Sequence, residues 1–249
     1  MPEYSAKNER WIVVLGLALV AAAGLYLTLH MGDVLMMSSP SITGTIAYAA
    51  LLFAMWWTMM MAMMLPTAAP AILTFAAISR KFAGTSSTAA TLAAFVAGYA
   101  FIWTGFAAVA VALQLAVSDA IALSMMMAVT SAVVGGGLLI AAGLYQMSPL
   151  KQACLRKCQT PLMYFSNHWR KGIDGAWRMG LSHGVYCLGC CWVLMGLLFY
   201  GGIMELRWIV GLAVYVAIEK LAPPKFMLSR FAGLALIGWG GWTIFEALR

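Results

Sequence analysis

The sequence predicts an all-α fold, a polytopic bundle of about seven transmembrane helices, on three observations. Apolar residues fill 63% of the 249 positions and charged residues only 9%, against roughly 25% charge in an ordinary soluble domain. Seven stretches approach the ~20 apolar residues a helical span needs. With a cytoplasmic N-terminus, thirteen of the fifteen Lys and Arg fall on the inner side, leaving only Arg207 and Arg249 outside. That asymmetry is the positive-inside pattern, and one missed span would scramble it. The reading is a single integral membrane domain over residues 1–249, N-terminus inside and C-terminus outside.

Taken in order, the first span covers 11–30 and follows Lys7 and Arg10. Its apolar run exceeds the ~7–15 residues of a cleaved signal, and no A-x-A site follows, so a retained span is expected. The second, 46–78, is long enough to tilt or kink. Pro66 and Pro70 each deprive a carbonyl four residues earlier of its helical donor. The third and fourth are 89–117 and 121–147, the latter with Gly135-Gly136-Gly137, which suits close helix packing. One sizeable loop, 148–177, comes next. Pro149 opens a short helix there, with Leu150, Cys154 and Cys158 on one face and the basic residues toward the inner headgroups. The last spans are 175–203, 206–222 and 227–248. Glu219 and Lys220, at the inner end of the sixth, are expected to pair at the interface, where His30 and His168 are also expected.

The segment HGVYCLGCCW, 183–192, packs one histidine and three cysteines into ten residues. At 100° per residue His183, Cys187 and Cys190 share an arc of about 60°, with Cys191 about 40° beyond it. The second span carries Met55, Met59 and Met63 at spacing four, flanked by Met60 and Met64, at a similar depth. A buried cysteine can pack as a small hydrophobe, and methionine fills cores. Two antiparallel spans presenting soft sulfur at one depth point instead to a metal. Thiolate and thioether favour Cu(I), and zinc or another soft metal is the alternative. A monovalent ion on one thiolate is neutral, which lowers its cost in hydrocarbon.

Three strings resemble a prokaryotic family of uncharacterised proteins described as predicted metal-binding integral membrane proteins. They are WTMMMAMMLPTAAP (57–70), AGLYQMSPLKQACLRKC (142–158) and HGVYCLGCCWVLM (183–195). The resemblance covers roughly residues 46–225 and implies a multi-span helical fold in the inner (cytoplasmic) membrane, with a metal site. Carried over by it are Met60, Met63, Met64, Pro66, Cys154, Cys158, His183, Cys187, Cys190 and Cys191.

The favoured function is a soft-metal protein for transport, delivery or assembly of a partner metalloprotein in the membrane or periplasm. In it Cys187, Cys190 and His183 bind the ion, Met59 or Met63 completes the site, and Cys154 and Cys158 relay it. Two alternatives stand beside it. A thiol–disulfide oxidoreductase would use the pairs Cys187/Cys190 and Cys154/Cys158, although hydrocarbon suppresses the thiolate that exchange needs. An accessory subunit of a larger membrane complex would use the Gly- and Ala-rich spans for packing. No nucleic-acid motif, P-loop or G-x-S-x-G is present, and no enzyme is indicated.

Overall fold

A computed structural model describes residues 15–31 apart from 20, 25 and 29, together with 46–82, 88–120, 130–222 and 228–249. Lys7, Arg10 and Lys225, used above to orient the chain, lie outside the described residues, as does most of 121–131. Among the described residues the chain is all-helical. The elements are α1 (Leu15–Thr28), α2 (Ile46–Thr67), α3 (Ala69–Phe82), α4 (Thr88–Ala120), α5 (Ala132–Met147) and α6 (Pro149–Gln159). They continue as α7 (Pro161–His168), α8 (Gly172–Gly196), α9 (Leu198–Gly201), α10 (Leu206–Leu221) and α11 (Leu228–Leu248).

Four segments are long and apolar enough to cross a membrane: Ile46–Thr67, Thr88–Ala116, Gly172–Gly201 and Leu228–Leu248. The pair α5 and α6 would add a fifth, bent by 63°. Each of the seven stretches read from the sequence is mostly helical in its described residues, but α1, α10 and α5 by itself fall short of that length.

Local chemistry explains the breaks. The expected interruption of the second stretch falls at Ala68, between α2 and α3. Its N–H still reaches the carbonyls of Met64 and Leu65, each at 3.1 Å, so the chain tightens here without losing its hydrogen bonds. Ser148 ends α5 and begins α6, with φ −67° and ψ 146°. A residue before proline is pushed to extended backbone. Pro149 then fills the first helical position, and the Ser148 hydroxyl accepts from Lys151 N–H at 3.1 Å. That serine–proline pair is the physical cause of the bend.

The loop expected at 148–177 is therefore two helices packed into the bundle. The face of α6 that is buried holds Lys151, Leu155 and Cys158, whereas Leu150 is exposed and Cys154 half-buried. The expected Leu150–Cys154–Cys158 face is thus rotated. Lys151, assigned to the headgroups on charge alone, is fully buried because a carboxylate awaits it.

The core lies among α2, α4, α8 and α10, with α3, α6 and α7 closing one end. Helix α2 buries methionine on every side: Met55, Met59, Met60, Met61, Met63 and Met64. Helices α4 and α8 approach through glycine. A methyl group at Gly180 would collide with the Phe95 carbonyl, and one at Gly184 would come to 2.9 Å from Ile102. Small residues let the backbones close up, which brings Tyr99 of α4 within reach of the thiols of α8.

Candidate metal centre

Helix α8 sets out His183, Cys187, Cys190 and Cys191 on one buried face. All five cysteines of the chain are free thiols. The Cys190 and Cys191 thiols both reach back to the Cys187 carbonyl at 3.0 Å, which draws the three side chains to one part of the helix. Cys158, from α6, is buried as well, on a helix packed against α8. The thiols of α8 and α6 thus share one buried neighbourhood between packed helices.

Helix α2 supplies a thioether to it. The Met64 sulfur lies 3.9 Å from Cys191 Sγ. Three donors hold the Met64 carbonyl: Tyr99 Oη at 2.9 Å, Thr67 Oγ1 at 2.9 Å and the Ala68 amide. This polar anchoring at the helix break fixes where the Met64 side chain starts. Met59, Met60 and Met63 are buried in the same core, and Met64 is the methionine seen meeting a thiol. The sequence reading named Met59 or Met63 to complete the site; the sulfur contact in the structure is made by Met64, another of its candidates.

Two residues that the sequence reading did not single out for the site complete the nest. Lys220 of α10 donates to Cys187 Sγ at 3.0 Å and to Thr67 Oγ1 at 2.9 Å. Tyr99 Oη lies 3.1 Å from Cys187 Sγ. Cys187 therefore sits between a phenol and an ammonium, and Thr67 links that ammonium to the Met64 carbonyl. A charge beside sulfur within an apolar helix was the available signal, because buried ionisable groups rarely lack a task.

Glu219 and Lys220 do not pair. Successive residues of a helix point about 100° apart, and here they serve opposite sides of α10. Glu219 receives Lys151 Nζ at 2.7 Å, with both side chains buried. It also accepts from Ser229 Oγ at 2.7 Å and Tyr215 Oη at 3.1 Å. The pair ties α6, with its cysteines, to α10, with Lys220.

His183 stands one turn before Cys187 inside a box of Phe95, Tyr99 and Phe165, with ring centroids 5.9–6.3 Å away. Its Nδ1 is buried without a hydrogen-bond partner among the described residues. Such an atom costs about 1–3 kcal/mol. Cys154 packs its sulfur over Gly189, where a methyl would come to 2.8 Å. The Gly189 carbonyl is held by the Tyr145 hydroxyl. Cys154 thus lies at the half-buried edge of the thiol group. His168 closes α7 and stacks on Tyr164, and His30 is exposed beside Tyr26.

Among the described residues no three His, Cys, Asp or Glu side chains are arranged to hold a metal ion. What converges is thiol pairs and a thioether, buried, unbridged and attended by one cation. That donor chemistry suits a soft ion held by few sulfurs, and it does not suit a hard ion, which takes oxygen ligands.

A family model described as PpoB2, copper chaperone, matches residues 53–243, a stretch holding every candidate ligand and Lys220. No curated protein and no solved structure matches the chain.

Proposed function

The chain belongs to the PpoB2 copper-chaperone family, and on that premise we propose that it is a multi-pass inner-membrane protein that holds Cu(I) as cargo. It delivers the ion to a partner metalloprotein in the membrane or periplasm. The observation that carries this reading is the meeting of Cys191 of α8 with Met64 of α2 at 3.9 Å, beside the buried, disulfide-free thiols Cys187, Cys190 and Cys158.

Cu(I) is the cargo that this sulfur set suits best. Cys187, Cys191 and Met64 form the inner seat. Cys190 and Cys158 form the adjoining pair, and Cys154 is the outermost thiol, at the edge of the nest. This order gives a path of exchange from a half-buried thiol to a fully buried seat, one sulfur handing the ion to the next. His183, with its free Nδ1, is a reserve donor one helical turn away. The membrane placement rests on the long apolar helices and the many large apolar side chains on the outside, such as Phe231, Trp242 and Leu248. Exposed apolar surface on that scale suits lipid rather than water. The seven-span count and the cytoplasmic N-terminus follow from the charge asymmetry.

The test is copper stoichiometry by elemental analysis of protein purified anaerobically from copper-supplied cells. Wild type is expected to carry copper, and the double variant Cys187→Ser, Cys190→Ser to carry none. Undiminished stoichiometric copper in the double variant would remove this assignment. Acid quenching followed by mass spectrometry separates the oxidoreductase reading, which requires a Cys187–Cys190 or Cys158–Cys190 disulfide in cells.

A further inference from the structure

We infer that Lys220 sets the charge of the ion that the sulfur nest accepts, favouring a monovalent soft ion over a divalent ion of equal softness. The inference rests on the copper reading and adds to it a residue that selects by charge rather than by ligand type.

Lys220 is buried, with its Nζ 3.0 Å from Cys187 Sγ and 2.9 Å from Thr67 Oγ1. Among the described residues no carboxylate stands within ion-pair distance of it. The neighbouring carboxylate, Glu219, faces away and is taken up by Lys151, Tyr215 and Ser229. The ammonium therefore faces sulfur as its only counter-charge. A metal-binding cysteine must give up its proton. Two thiolates carry two negative charges, and Lys220 returns one positive charge. A monovalent ion brings the sum to zero, with the thiol protons leaving to water. A divalent ion leaves one uncompensated positive charge in a buried, apolar surround, where charge is costly.

Softness alone does not separate these cases, because thiolates accept Cu(I), Ag(I), Zn(II) and Cd(II) alike. Position does. Thr67 anchors the ammonium to the helix break beside Met64, so Lys220 cannot swing out without losing a part-buried hydrogen bond to Thr67 and a buried one to Cys187. It is a positioning residue, not a ligand: its three donors leave no lone pair for the ion while it stays protonated.

Ag(I) and Cd(II) are suitable probes, since both are soft and air-stable and they differ in charge. Their affinities are measured by chelator competition on the full chain in detergent, for wild type, Lys220→Met and Lys220→Arg, with helix content checked by circular dichroism. Wild type is expected to prefer Ag(I). Lys220→Met should move the Ag(I)/Cd(II) affinity ratio toward Cd(II) by roughly tenfold or more, the effect of deleting one nearby charge. Lys220→Arg, which keeps the charge, should keep the wild-type preference. An unchanged ratio in helical Lys220→Met overturns the inference, and so does loss of preference in helical Lys220→Arg, whether or not the Met variant folds. A wild type that takes up neither Ag(I) nor Cu(I) removes the copper reading itself, and the inference with it.

Discussion

The sulfur nest and the crossing of α5 with α11 are two regions built from opposite materials. In the nest, five elements each bring a polar or polarisable group to one place, and almost every such group has a named partner. In the α5–α11 crossing glycines bring the backbones together, with apolar side chains such as Ile140, Ile237 and Ile244 packed beside them. Gly136 faces Gly240 and Gly143 faces Gly233; a methyl at Gly136 would come to 2.8 Å from the Gly240 carbonyl, and one at Gly233 to 2.8 Å from that of Gly143. Helix α11 buries only Ser229, Gly233 and Gly240 and turns the rest of its surface outward. The crossing holds the outer layer by contact between backbones. The nest spends buried polarity that a purely structural core would avoid. The difference separates what the molecule needs to stand from what it needs to act, and substitutions in the two regions should fail in different ways.

The sharpest separation is expected from Cys187→Ser, Cys190→Ser. Copper binding should vanish while stability falls by only about 1–3 kcal/mol, the cost of burying hydroxyls in place of thiols; elemental analysis and a thermal melt report the two separately. A melt that collapses along with the copper would blur the comparison and make these cysteines structural. Glu219→Ala lies between the regions. It strands Lys151 as an unpaired buried charge, for which about 3–5 kcal/mol is the expected loss, visible as lowered thermal stability. Copper exchange should also quicken, because α6 loses its tie to α10.

In the other region, Gly136→Val or Gly240→Val should cost roughly 1–3 kcal/mol by overpacking, with copper stoichiometry of the folded fraction unchanged. Parallel loss of copper would mean that the crossing positions the nest. The smallest effect of all belongs to Met64→Leu, a swap of similar volume costing under about 1.5 kcal/mol. Its mark should be in affinity: Cu(I) held several-fold more weakly in competition titrations, about 1 kcal/mol for one soft donor lost. The same change at Met59 should leave the affinity alone, so the pair of variants distinguishes the donor from core filling.

How far these regions could be read in advance follows from the kind of signal each carries. Helical identity was legible from apolar runs, and the break in the second stretch from its prolines, because both are local. The opening of α6 by Pro149 was legible for the same reason. The clustering of Cys187, Cys190 and Cys191 on one buried face followed from helical spacing alone. Spacing could not choose among the methionines, since α2 is apolar nearly all round and buries all six of them, so periodicity marks no single one. Met64 is selected by the helix break and by Tyr99, a contact across 35 residues of chain. The charged residues misled for a related reason. Lys151 and Lys220 obey the inner-side count, yet each turns into the core toward a partner 68 or 33 residues away. A count of charges assigns sides and is blind to depth, so the ion pair expected between Glu219 and Lys220 resolved into two separate contacts on opposite sides of α10.

The central claim is that copper sits on sulfur in this nest, and X-ray absorption at the copper edge tests it most directly. On full-length protein loaded with Cu(I) anaerobically, the account predicts a monovalent edge and a first shell of two or three sulfur scatterers, a signal lost in Cys187→Ser, Cys190→Ser. A shell dominated by nitrogen or oxygen, or a sulfur shell that the double substitution leaves intact, would contradict it.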